Sequence, residues 1–107
     1  MLPTIPEGAR LLIEEVPIAQ LQRGDIIVFQ NPNSQNPPIV KRLIGLPGDT
    51  VEVRGDKVFI NGTVLDEPYV ANPGGAKFAP ATLGSDEYFV LGDNRENSMD
   101  SRQFGPI

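Results

Sequence analysis

The sequence contains no cysteine and no histidine. Their absence excludes disulfides, zinc sites with Cys or His ligands, and any catalytic step that runs through an imidazole. A hydrolase built from this chain must take its base from lysine or from carboxylates. Missing cysteine fits any redox compartment. No apolar run approaches the roughly 20 residues that span a bilayer, and no signal-peptide pattern is present. Basic residues form no local patch, and the net charge is −5, which argues against a nucleic-acid surface.

What is present fits a small globular chain. It has 107 residues, 39% of them hydrophobic, enough for one domain (1–107) with a modest core. Glycine and proline occur 11 times each, so short strands and many turns are expected. Residues 10–16 are read as a strand and 26–29 as a buried strand. A polar, proline-rich loop covers 31–38. A strand over 39–44 follows, ended by Gly45, Pro47 and Gly48. Residues 50–54 alternate, with Val51 and Val53 on one face and Glu52 and Arg54 on the other. A turn at Gly55-Asp56 leads back along 57–60. Asn61-Gly62, whose two positions both take positive φ in a tight hairpin, leads into 63–65. These three strands form a meander. Residues 65–84 read as a long loop, 87–91 as an apolar strand, and 95–102 as a polar tail. Nearly every element is β, which makes the fold class all-β. Turn chemistry accounts for two further motif matches, Arg54-Gly55-Asp56 and Asn61-Gly62-Thr63.

Chemistry concentrates in two stretches. In the first, Lys41 sits among Ile39, Val40, Leu43 and Ile44. Burial disfavours an ammonium, so such a lysine is expected to fall below its ordinary pKa of about 10.4 and could then accept a proton from a serine hydroxyl. By itself this stretch is read first as a strand lysine whose head group reaches water. The second stretch is Gly92-Asp93-Asn94-Arg95-Glu96-Asn97-Ser98-Met99-Asp100-Ser101-Arg102-Gln103-Phe104-Gly105. Arg102 can form a forked pair with either Asp93 or Asp100. The stretch reads as a solvated loop stapled by ion pairs, or as a rigid polar shelf that holds Ser98 beside Lys41.

Four segments in order resemble the motif boxes of bacterial type I signal peptidases. Met1-Leu2-Pro3-Thr4 is similar to the piece that follows the nucleophile in the family's Ser-Met-x-Pro-Thr. Gly24-Asp25-Ile26-Ile27-Val28-Phe29 resembles the second box. Lys41 to Asp49 resembles the box that carries the general-base lysine. The stretch 92–105 resembles the last box, Gly-Asp-Asn-Arg-x-x-Ser-x-Asp-Ser-Arg-x-x-Gly, at every fixed position. The last box is the most specific of the four.

The resemblance implies twisted antiparallel sheets in a partly open barrel. It implies a membrane-anchored Ser-Lys protease, acting outside the cytoplasm, that removes signal peptides from secretory preproteins after a small-x-small pattern. By the same resemblance Lys41 is the general base and Ser98 orients it. Asp100 and Arg102 form a supporting ion pair, Asp93 steadies the shelf, and Arg42 has a structural role. Met1, Pro3 and Thr4 frame the start of the active-site loop, and the resemblance implies no metal and no organic cofactor. An extended substrate would add to a sheet edge.

The chain departs from the family pattern at one place. The family's nucleophile is the serine before the first-box methionine, and that methionine is Met1 here. The 107 residues as written, read as a fragment of a longer membrane-anchored protein, are therefore expected not to cleave. With no serine beside it, Lys41 is expected to be wetted and to return toward its ordinary pKa. The alternative is a binding module of the same fold that holds a signal peptide or other partner without chemistry. A self-cleaving repressor-type protease would need a DNA-binding partner domain and a scissile Ala-Gly or Cys-Gly linker, and neither is in the sequence.

Overall fold

The computed structural model describes residues 1, 4–5, 20–29, 38–55, 57–70, 77–96 and 98–107. The strand expected over 10–16, Pro3, and most of the loop over 31–38 lie outside the described residues. The described elements are β1 (Ile26–Phe29), β2 (Ile39–Gly45), β3 (Thr50–Arg54), β4 (Lys57–Ile60), β5 (Thr63–Val64), β6 (Phe78–Thr82), β7 (Phe89–Leu91) and one helical turn, α1 (Ser101–Phe104). The fold is all-β, built from two antiparallel sheets that do not close into a barrel. One has the order β1-β2-β7 and the other β5-β4-β3-β6.

The meander forms where turn chemistry places it. Val53 faces Val58 and Val51 faces Ile60 across β3 and β4. Asn61 and Gly62 both take positive φ, 52° and 84°, and Thr63 returns opposite Ile60. The alternation has the expected consequence: Val51, Val53, Val58 and Ile60 are buried. They meet Ile44, Phe89 and Leu91 of the other sheet, with Leu83 beside them, to make the core between the sheets. Burial of such side chains stabilises by about 1.5–3 kcal/mol each before entropy is counted. Phe78 packs on Phe89, ring centroids 4.9 Å apart.

One expectation is corrected. Residues 65–84 are not all loop, because β6 pairs with β3 (Thr50 opposite Thr82, Val51 opposite Ala81, Val53 opposite Phe78). Its sequence, Phe-Ala-Pro-Ala-Thr, has little intrinsic strand preference, and Pro80 has no N–H to donate. The strand exists because β3 offers an unpaired edge, and β6 is itself the outer strand of its sheet. Of the two readings of the tail, burial favours the shelf. Asp93, Asp100 and Ser101 are fully buried, and Asp100 caps α1 in a capping box with Gln103.

The sheets come close at Gly45, where β2 shifts register against β7. A Cβ there would sit 2.8 Å from Val51 Cγ2 and 2.9 Å from both Leu83 Cδ1 and Phe89 Cβ. Gly45→Ala is expected to cost about 1–3 kcal/mol through overpacking. A urea midpoint equal to that of the parent chain would contradict this.

Candidate active site

β2 is the middle strand of its sheet, and its successive residues address opposite faces. Lys41 and Arg42 therefore reach two different parts of the segment that follows β7. On one face Lys41 Nζ donates to Ser98 Oγ at 2.9 Å. On the other, Arg42 forms a fork on Asp93, with Nε to Oδ1 at 2.8 Å and Nη2 to Oδ2 at 2.7 Å. Its Nη1 donates to the Gly24 carbonyl at 2.8 Å. Thr4 Oγ1 also donates to Asp93 Oδ2, which brings the N-terminal stretch onto the same carboxylate.

Arg102 pairs with Asp100, not Asp93. Its Nε donates to Oδ1 at 2.8 Å and its Nη2 to Oδ2 at 2.9 Å. Asp100 Oδ2 further accepts from the Gly92 N–H at 3.0 Å. Ser101 Oγ accepts from the Val90 N–H at 3.0 Å, tying the tail back to β7. Among the described residues, every buried side-chain nitrogen or oxygen has a hydrogen-bond partner.

The segment can lie this close because Gly92 has no side chain. A Cβ on Gly92 would overlap Ser98 Oγ, lie 2.7 Å from Ser98 Cβ and lie 3.5 Å from Lys41 Nζ. Gly92 is the floor on which the Lys41–Ser98 pair rests.

Electrostatics follow from this packing. Burial lowers the Lys41 pKa. The Asp100 carboxylate opposes that shift and the Arg102 guanidinium adds to it. The expected return toward an ordinary lysine is not met, because the stem is already half-buried in the strand. The Met1 amine is also lowered, first by burial and then by the charge of Lys41, with Asp93 opposing. The first residue thus lies within electrostatic reach of Lys41.

Burial alone would raise the Asp93 carboxyl, but hydrogen bonds from Arg42 and Thr4 outweigh it and leave the pKa below its ordinary value. Asp100 is likewise lowered: Arg102 and the Gly92 N–H overcome the burial penalty. Each carboxylate binds fewer protons folded than unfolded in the window from its ordinary pKa down to its lowered one. Their stabilisation is complete above that window and is lost as pH falls through it. Urea midpoints are expected to be level above about pH 5 and to fall below about pH 4. A level profile down to about pH 2 would contradict the assigned pairs.

The residues singled out from sequence are thus gathered: Lys41, Ser98, Asp100 and Arg102 on one side of Gly92, and Arg42, Asp93 and Thr4 on the other, with Met1 close by. Sequence reasoning missed Glu67 and Tyr69 and gave Arg95, inside the last box, no role. The buried Arg95–Glu67 pair, with the partly buried Tyr69 beside it, spans 28 positions, too far for any local pattern to link. Among the described residues, no group of three or more His, Cys, Asp or Glu side chains could hold a metal ion.

A half-buried lysine is thus hydrogen-bonded to a serine on a polar shelf in an all-β frame. The family model described as signal peptidase, peptidase S26, matches residues 1–107. The chain belongs to that family. It is 44% identical to a signal peptidase I of Leptolyngbya laminosa, an alignment covering 100% of this chain and 57% of that protein. It is also 44% identical to signal peptidase I S of Bacillus subtilis strain 168, over 95% of this chain and 61% of that one. The crystal structure of a signal peptidase I from Enterococcus faecalis V583 superimposes with a TM-score of 0.68 at 41% identity. That match covers 82% of this chain and 89% of the other. The chain spans a little over half the length of the curated relatives it matches.

Proposed function

We propose that this site belongs to a serine endopeptidase that removes signal peptides from secretory preproteins by a Ser-Lys mechanism. The observation that carries the reading is the half-buried Lys41, hydrogen-bonded to Ser98 and close enough to the Met1 nitrogen to lower its pKa. A serine joined to that nitrogen would stand beside a base whose neutral form burial favours.

In the proposed reaction, neutral Lys41 takes the serine hydroxyl proton as the oxygen attacks the scissile carbonyl. The resulting ammonium gives that proton to the departing amine. A water then loses a proton to Lys41 as its oxygen attacks the acyl carbonyl, and Lys41 returns that proton to the departing serine oxygen, freeing the serine and the acid product. Ser98 fixes the direction of the Lys41 nitrogen. The Asp100–Arg102 and Arg42–Asp93 pairs keep Ser98 and the strand in register. Met1, Pro3 and Thr4 border the serine, and Thr4 docks on Asp93. Substrates are preproteins with a small-x-small cleavage site, bound as an added strand. The whole protein is proposed to be membrane-anchored with this domain outside the cytoplasm. No helix among the described residues is long and apolar enough to cross a membrane.

The test is cleavage of a signal-sequence peptide by two proteins. One is the 107-residue chain, and the other is the same chain extended before Met1 by a few residues ending in serine. Cleavage only by the extended form is the expected result. Cleavage by the shorter form would place the nucleophile elsewhere. Tight peptide binding without cleavage by either would make the domain a binding module.

A further inference from the structure

Glu67 and Tyr69 lie in the connection that leaves β5, beyond every motif of the sequence. A turn presents them: Pro68 sits at its second position, and the Val70 N–H donates to the Glu67 carbonyl at 3.3 Å. The Tyr69 ring packs against the core, and its hydroxyl donates to Glu67 Oε2 at 3.1 Å. Arg95 forms a fork on Glu67, with Nη1 to Oε1 at 3.2 Å and Nη2 to Oε2 at 2.7 Å. Both side chains of that pair are almost completely buried.

Two contacts carry this group to the site. Arg95 Nε donates to the Gly92 carbonyl at 2.7 Å. Asp100 holds the N–H of the same residue, so Gly92 is clamped at both ends of its backbone. The Arg42 guanidinium lies over the Tyr69 ring, 4.0 Å from its centroid, while its fork grips Asp93. The group thus joins the four-stranded sheet to both arms of the shelf in the other sheet. Forked ion pairs and a guanidinium–ring stack are directional, so each fixes orientation as well as distance.

We infer that Glu67 and Tyr69 are positioning residues for the Lys41–Ser98 pair, acting through Arg95 on Gly92 and through Arg42 on Asp93. This rests on the Ser-Lys reading of the site, and it names residues outside the motif boxes as part of its support. Burial tunes Lys41 only while Gly92 keeps Ser98 against it. Loosening the Gly92 clamp lets water reach the ammonium and moves the nitrogen off its line.

The test uses two readouts on Glu67→Gln, Tyr69→Leu and Tyr69→Phe. The first is an NMR titration of lysine Cε resonances in the 107-residue chain, with Lys57 and Lys77 as internal references. In Glu67→Gln and Tyr69→Leu the Lys41 midpoint is expected to move up toward the ordinary lysine value while the references stay still. Tyr69→Phe, which keeps the ring under Arg42, is expected to restore most of what Tyr69→Leu loses. The second readout is peptide cleavage by the serine-bearing chain. There kcat is expected to fall about tenfold to a hundredfold in Glu67→Gln, with KM little changed, as for a displaced catalytic group. An unmoved Lys41 midpoint with unchanged kcat, whatever happens to the urea midpoint, would overturn the inference and leave the group purely structural. If the serine-bearing parent does not cleave at all, the proposed function fails, and the Lys41 midpoint alone still decides the positioning role. Should Tyr69→Leu not fold, the near-isosteric Glu67→Gln and Tyr69→Phe decide it.

Discussion

Lys41→Met in the serine-bearing chain is expected to lower kcat by about four orders of magnitude or more, the usual loss when a member of a nucleophile–base pair is removed. The fold is expected to survive the change and even to gain from it. Methionine matches the unbranched lysine stem, and the substitution removes an ammonium that burial penalises. What is lost is one hydrogen bond to a half-buried serine, worth about 0.5–1.5 kcal/mol. The pH dependence of stability gives an independent check. A lysine with a lowered folded pKa binds fewer protons folded than unfolded between that value and its ordinary one, so stability rises with pH across that window. The parent chain should show this rise below the ordinary lysine pKa, and Lys41→Met should lack it. Tyr69 acts at higher pH and with the opposite sign. Burial, the Glu67 charge and the hydrogen bond to Glu67 push its phenol well above its ordinary value. Its folded state therefore holds a proton that the unfolded state releases. Comparing parent and variant isolates the Lys41 contribution. Identical pH profiles, or a kcat within tenfold of the parent, would remove Lys41 from the proposed role.

Gly92→Ala is the second large effect. The new methyl would overlap Ser98 Oγ, so either Ser98 leaves Lys41 or the Gly92 backbone leaves its clamp. Both outcomes harm the proposed chemistry, because a displacement of about 1 Å in a catalytic arrangement can cost about a hundredfold in rate. The expected result is a kcat lower by about a hundredfold and a stability lower by about 1–3 kcal/mol, the range for overpacking. The atoms that meet the methyl first belong to the Ser98 side chain, so Ser98→Gly should make room. Gly92→Ala combined with Ser98→Gly is expected to recover most of the stability and none of the rate. That non-additivity between neighbours would locate the clash. Additive stability losses, or a Gly92→Ala enzyme of parental rate, would mean that the shelf absorbs the methyl without moving the pair.

Both expectations depend on how the tail is held, and here local sequence and tertiary structure contributed differently. The meander was legible because its causes are local: alternation in 50–54, return over 57–60, and an Asn61-Gly62 turn whose φ values few other pairs adopt. The juxtaposition of Lys41 and Ser98, 57 positions apart, was legible only through the motif boxes, since neither stretch alone distinguishes a shelf from a solvated loop.

Other features needed the folded chain. β6 has a proline at its centre and small residues around it, and it is a strand only because β3 had a free edge to fill. Arg102 had two plausible carboxylates. Asp100 takes it because the residue caps α1 and turns its carboxylate toward Arg102 and the Gly92 N–H, while Arg42 has already claimed Asp93 from β2. Glu67 and Tyr69 gave no signal at all, because a forked ion pair across 28 positions has no periodicity to detect. The sequence by itself determined the strand-and-turn frame and, through its boxes, which residues could carry the chemistry. Only the tertiary structure decided which charges pair, what covers them, and that the connection after β5 reaches the site. Burial and pairing between distant residues are properties of the packed sheets, and no short window of sequence contains them.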